Sequence, residues 1–223
     1  MGRSRDARPA PGGGRGGHDA TGRLRLRLLD GFAVSVDGGA IPDGAWPSRK
    51  ARQLFKLLAL APQHRVHRDE ALEALWPDLT ADGGTKALYQ ALFHLRRTLE
   101  PDLPRGAGSR FVRLERDRIV LVARGGVEVE TDLAAFEDAA ARALGTGAPT
   151  DIRTALSLGS ELLPDDRYEE WTLARRRALR EERLALLAAL AAAHERAGQP
   201  EDAVAALLGG PPASRPAPGA GRV

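Results

Sequence analysis

The chain contains no cysteine. Disulfide bridges, thiolate nucleophiles and cysteine-type zinc sites are thereby excluded. Lysine is almost as scarce: Lys50, Lys56 and Lys86 are the only three, so nearly all of the 33 basic side chains are arginine. With the heavy use of alanine, glycine and proline, this looks like the codon bias of a GC-rich genome. Arginine number therefore carries little functional weight, and placement carries more. No apolar run approaches the ~18 residues of a membrane span. The N-terminal MGRSRDARPAPGGGRGGHDATG lacks the apolar segment that a signal peptide needs. A cytoplasmic chain with no membrane partner is expected. There is no Gly-rich strand–loop–helix ending in Lys-Ser or Lys-Thr, which excludes a P-loop, and His194-Glu195 has no second histidine to make a metalloprotease helix.

What is present is unevenly distributed. Residues 21–125 hold 18 basic and 12 acidic side chains, a net of +6, whereas residues 126–208 hold 9 and 16, a net of −7. A basic first half followed by an acidic second half suggests an anionic partner for the first half alone. At 223 residues there is room for one domain or two small ones. Residues 1–22 and 209–223 are rich in Gly, Pro and Arg and are expected to be disordered tails.

Between them, RLRLRLLDGFAVSVDGG (23–39) alternates and turns at Asp30-Gly31, which predicts strand, turn and strand. Ser48 is placed to cap a helix in which Ala51, Leu54, Phe55 and Leu58 recur at helical spacing, before Pro62 stops it. RDEALEALWPD (68–78) predicts a short second helix with Leu72, Leu75 and Trp76 inward. DGGT reads as a loop into TKALYQALFHLRRTLE, a third helix over 85–100. RFVRLERDRIVLV (110–122) predicts a hairpin around Arg116-Asp117-Arg118, and Gly125-Gly126 follows. Strands, three helices and a hairpin in about 100 residues are the pattern of a winged helix. Everything from 126 to 208 reads as helical, and AHERAGQPEDAVAALL resembles one tetratricopeptide unit.

The third helix has two unlike sides. With Lys86 at zero, Gln90, Phe93 and Arg97 fall within about 40°, while Leu88, Leu92, Leu95 and Leu99 lie between about 180° and 240°. The leucines make a core stripe. The other face offers donors that suit guanine (Lys, Arg) and adenine (Gln), and a ring that could meet a thymine methyl. A solvated face on a bundle helix is the plain alternative, and Phe93 is the residue it explains worst. The acidic second half is another possible cover for that ring.

The first 125 residues resemble the OmpR-type winged helix-turn-helix of SARP-type antibiotic regulatory proteins. LRLLDGFAV, SRKARQLFKLLALAPQHRVHRDEALEALWPD and ALFHLRRTLEP carry the likeness. Residues 127–208 resemble the bacterial transcriptional activator domain through VEVETDLAAFEDAAARAL, LSLGSELLPDDRYEEW and the helices that follow. The resemblance implies a winged helix over 23–125, an all-α tetratricopeptide-like domain over 126–208, and a non-enzymatic DNA-binding transcriptional regulator without cofactor, often an activator. It implies double-stranded DNA as partner, bound at direct repeats by a homodimer, with RNA polymerase or another protein meeting the helical domain. Carried over by position, Lys86, Tyr89, Gln90, Phe93, His94 and Arg97 are the recognition-helix residues, and Arg116 and Arg118 the wing. Arg49, Lys50 and Arg52 are candidates for phosphate contact. The family often has a small polar residue early in the recognition helix where this chain has Ala87-Leu88-Tyr89, so base preference does not transfer. Its helical domain also runs longer, so a shortened module or a piece of a larger regulator is expected. A different class remains open: an interaction module whose helical half binds a protein and whose winged half reads no DNA.

Other clusters have plainer readings. His64 and His67, with Asp69 and Glu70, lack a third metal partner in view. Asp165-Asp166 reads as a helix-start complement, Trp76 and Trp171 as packing, and Arg175, Arg176 and Arg177 as intrahelical ion-pair partners.

Overall fold

Alternation decides the first element. In β1 (Arg23–Arg27), Leu24 and Leu26 are buried and the three arginines are exposed, as a period of two requires. The computed structural model describes residues 22–121 and 127–208. Nearly all of the two expected tails and the Gly125-Gly126 boundary lie outside the described residues. β1 pairs antiparallel with β2 (Ala33–Val36), which pairs with β3 (Gly39–Ile41). The turn at Asp30-Gly31 separates the first two strands, and both its residues have positive φ.

Ser48 caps α1 (Arg49–Leu60), its hydroxyl accepting from the Ala51 amide, and Ala51, Leu54, Phe55 and Leu58 are fully buried. After Pro62, a strand that the sequence pattern did not reveal, β4 (Arg65–His67), leads into α2 (Arg68–Leu75). α2 stops at Leu75, short of Asp78, because Pro77 cannot continue a helix.

The third helix differs from expectation at its start. α3 runs Ala81–Leu99, so the stretch read as a loop is its first turn, capped by the Thr80 hydroxyl. Two glycines there cost helix propensity, but Gly84 has a packing reason. A Cβ at that position would stand 3.3 Å from Leu72 Cδ2, where α2 crosses. Leu88, Leu92, Leu95 and Leu99 are all buried, and α1 packs on this stripe.

The hairpin forms from β5 (Val112–Glu115) and β6 (Arg118–Leu121), with Arg116 at φ 56° in the tip. β4 joins it to make a three-stranded sheet of order β4-β6-β5. β7 (Glu128–Thr131) follows in a stretch read as helical, and it pairs parallel with β1. The first sheet is thus β3-β2-β1-β7.

Among the described residues, four α-helices follow: α4 (Asp132–Thr146), α5 (Pro149–Ser157), α6 (Glu170–Arg196) and α7 (Pro200–Leu207). α4 packs with α5, and α6 with α7. None of the described helices is long and apolar enough to cross a membrane.

The two halves are joined by specific bonds. The Asp132 carboxylate accepts from the Leu28 and Leu29 amides at 2.8 and 3.1 Å. Asp30 accepts from the Ser160 hydroxyl and the Glu161 amide, both at 2.8 Å. Lys56 and Asp166 form a buried ion pair, which replaces the helix-start role expected of that aspartate. Gly159 is required at this seam: its φ is 153°, and a Cβ would lie 2.6 Å from Leu29 Cβ.

Candidate nucleic-acid interface

The apolar stripe of α3 fixes which way its other side points. Lys86, Tyr89, Gln90, Phe93 and Arg97 are exposed, and His94 is half-buried. Phe93 is 60% exposed and Tyr89 51%, so the helical second half does not cover this face. The Phe93 ring stands edge-on to the His94 ring, 5.6 Å between centroids. Among the described residues, the side chains of Lys86, Tyr89 and Gln90 take part in no hydrogen bond or ion pair. Three donor-bearing side chains therefore stand free on one helix face. Arg97 is partly engaged, donating to the Leu103 carbonyl at 2.9 Å. Because the helix begins earlier than expected, Asp82 lies one turn before Lys86 on nearly the same side. The face therefore carries one carboxylate at its N-terminal end.

Behind the face, Arg96 anchors the helix to the hairpin, its Nε donating to the Val112 carbonyl at 3.1 Å. Burial lowers the Arg96 pKa, with the Glu100 carboxylate acting the other way. The Glu100 carboxylate accepts from the Ser109 hydroxyl and the Arg110 amide, which closes the loop into β5.

The wing is tied to α2. His67 caps that helix through Nδ1, which accepts from the Asp69 amide, while Glu70 accepts from the His67 amide. Its Nε2 lies 2.9 Å from Asp117 Oδ2, and the Arg68 amide donates to the Asp117 carbonyl at 2.7 Å. An accepting Nδ1 leaves the proton on Nε2, so His67 donates to Asp117. That hydrogen bond holds the Asp117 carboxyl below its ordinary pKa. His67 is thus a structural link between hairpin tip and helix. Arg116 and Arg118 are exposed on either side of Asp117.

The structure brings α3 and the hairpin together, and Arg68 joins them further by donating to the Thr85 hydroxyl at 3.2 Å. The sequence reading missed Arg68. Its position at the start of α2 was visible, but its partner on another helix was not.

The α1 cations are differently placed. Arg49 pairs with Glu169 at 3.0 Å, and Arg52 pairs with Asp43 at 3.1 Å while its guanidinium lies 4.9 Å from the Phe32 ring centroid. Lys50 is half-buried. Two of the three expected phosphate ligands are thus held by carboxylates of this chain. Arg175 and Arg176 also bond outside their own helix, to Glu137 and to the Leu163 carbonyl.

No family model matches the chain, and no curated protein is significantly similar to it. Among solved structures, the fold is similar to that of Mycobacterium tuberculosis EmbR in complex with a low affinity phosphopeptide, at a TM-score of 0.62 and 21% identity. The match covers 80% of this chain and 47% of that one, so the chain spans about half the length of that structure. The likeness establishes the architecture: an α+β winged helix-turn-helix followed by an all-α helical domain.

Proposed function

We propose that this protein is a sequence-specific DNA-binding transcriptional regulator of the SARP type, acting as an activator. α3 enters the major groove, and the β5–β6 hairpin lies against the flanking backbone. The observation that carries this reading is the α3 face, where Lys86, Tyr89 and Gln90 are exposed and, among the described residues, unpartnered beside Phe93, on the helix that packs on the hairpin. Gln90 suits adenine and Lys86 guanine, Phe93 and Tyr89 supply apolar contact, and Arg116 and Arg118 suit phosphates. Arg97 and His94 flank the reading edge. Two copies on direct repeats, and a polymerase or other protein on the helical domain, complete the proposal. The resemblance in sequence motifs and the winged architecture support it.

The test is binding of the 223-residue chain to duplexes selected from a random pool, followed by fluorescence anisotropy. Affinity should fall steeply with salt, by about 0.9 log units per log unit of salt for each phosphate neutralised. A flat salt response would sink the model.

The exposed Val204 and Leu207 of α7, with Leu208 just after it, favour a second reading, in which the helical half docks a partner and the winged half reads no DNA. Selection that enriches no sequence, with a protein partner captured through α7, is the outcome that would favour it.

A further inference from the structure

The helical half holds a buried histidine for which DNA binding has no use. His194, near the end of α6, is 6% exposed, and both of its ring nitrogens are engaged. Nε2 lies 2.9 Å from Arg153 Nη2 of α5, and Nδ1 lies 2.8 Å from Oε1 of Gln199, the residue before α7. These partners fix the protons. A guanidinium only donates, so Nε2 accepts and carries no hydrogen. Nδ1 then holds the one ring proton and donates it to the Gln199 side-chain oxygen. The arrangement requires a neutral imidazole in the Nδ1–H tautomer.

The charges around the ring are uneven. Arg153 of α5 is in contact, whereas Asp202 of α7 stands further off, its Oδ2 3.9 Å from Nδ1. α4 packs on α5 and α6, but among the described residues none of its side chains bonds His194, and neither do those of Glu195 and Arg196 on α6 itself. A second proton on Nε2 would set two donors and two positive charges against each other, while Asp202 attracts the charged ring from the other side. Arg153 is half-buried and makes no other side-chain bond among the described residues, so its long side chain can turn out to solvent.

Position gives this bond a consequence. α5 has no side-chain cap at its start. It is tied to α6 by Arg183, which donates to the Leu156 carbonyl at 3.2 Å, and by the bond between Arg153 and His194. The first tie keeps its charge at any ordinary pH, and the second is open to a proton near neutrality. The chain that leaves α5 reaches Gly159, Ser160 and Glu161, which pack on Leu29 and bond Asp30 of the winged half.

We infer that His194 is a proton-operated latch: its neutral ring holds α5 on α6 through Arg153, and protonation breaks that bond and draws the ring toward Asp202 of α7. Histidine changes charge between about pH 5 and 8, so α5 is locked at the upper end of that range and loosened at the lower end. Protons favour the form without the Arg153 bond, so the stability that the bond gives α5 is lost as pH falls. The latch does not depend on the DNA-binding reading, and its test contains no DNA.

Amide hydrogen exchange of the full chain reads the latch, expressed as protection factors so that the intrinsic effect of pH on exchange is removed. From about pH 7.5 to about pH 5.5, the protection of α5 amides should fall by about tenfold, the size of one lost charge-assisted hydrogen bond. His194→Gln keeps an acceptor for Arg153 and cannot take a proton, so its α5 protection should be equal at both pH values. Arg153→Met removes the opposing charge and should abolish the response as well. Nitrogen spectra of the imidazole at the higher pH should show His194 as the Nδ1–H tautomer. Unchanged α5 protection in the parent chain, a fall of equal size in either variant, or an Nε2–H tautomer would overturn the latch.

Discussion

Helices α1 and α3 pack on each other, and both carry several cations. Their fates differ. On α1, Arg49 is held by Glu169, Arg52 by Asp43, and Lys56 by Asp166, the last pair buried with the ammonium 4.5 Å from the Phe32 ring centroid. On α3, Lys86, Tyr89 and Gln90 have no partner among the described residues. The two helices look alike in a charge count. On α1, Arg49 and Lys56 fix the second half of the chain to the first, whereas on α3 the Lys86, Tyr89 and Gln90 side chains stay unpaired among the described residues. The acidic excess of residues 126–208 is explained in part by this: Glu169, Asp166, Glu130 and Asp132 all face groups of the first half.

The largest effect that separates the helices should come from Asp166→Ala. It leaves the Lys56 ammonium buried without its carboxylate, at a cost of about 3–5 kcal/mol, readable as a lower urea midpoint. Burial already lowers the Lys56 pKa, against the raising effect of Asp166, so the lysine would lose its proton more readily in the variant. Lys56→Met with Asp166→Leu should recover most of the stability, because a well-packed apolar pair is often neutral against a buried ion pair. Failure of Asp166→Ala to destabilise would mean that the α1 cations do not hold the seam.

Gly159→Ala should rank next, at about 2–4 kcal/mol, since the added methyl meets buried Leu29 at a φ that alanine rarely adopts. Denaturation measures it, and a loss under ~1 kcal/mol would show that the seam yields there. Gln90→Ala inverts the pattern: it should leave stability within ~0.5 kcal/mol and, on the proposed reading, cost about 1–3 kcal/mol of discrimination at one base position. If it altered folding and not base preference, the contrast between the helices would collapse.

Local periodicity made half of this contrast readable. Ser48, the leucine stripe of α3 and the hairpin around Asp117 each declare themselves within a few residues. The start of α3 did not, because Asp82-Gly83-Gly84 has loop chemistry and becomes helical only through the Thr80 cap and the close approach of Leu72. β4 and β7 are three and four residues long, and their partners lie more than fifty residues away in β6 and a hundred in β1. No local pattern encodes such pairings. Lys56 and Asp166 escaped for the same reason, as did the engagement of Arg49 and Arg52.

Acid should sharpen the comparison at smaller amplitude. Burial pushes the Asp30 carboxyl upward, but hydrogen bonds from Glu161 and Ser160 and the charge of Arg183 outweigh it and leave it below the ordinary 3.8. Its folded pKa is depressed, so its contribution is present above 3.8 and lost as pH falls through the folded value. The urea midpoint should decline over that window, and the decline should be shallower in Asp30→Asn. An identical acid profile in the variant would remove Asp30 from the seam.

The smallest effect is expected at Arg49. Its side chain is 79% exposed and its partner Glu169 24%, so solvent screens the pair and Arg49→Ala should cost no more than ~1 kcal/mol of stability. DNA affinity discriminates two roles that stability does not. If Glu169 holds Arg49 on DNA as it does in the free chain, Arg49→Ala should leave the salt slope unchanged, whereas Arg116→Ala should reduce it by about one phosphate. If the Arg49 variant lost a full phosphate from the slope, Arg49 would have to leave Glu169 on binding. The first turn of α1 would then belong with α3 on the reading side, and the division between the two helices would run inside α1, between Arg49 and Lys56.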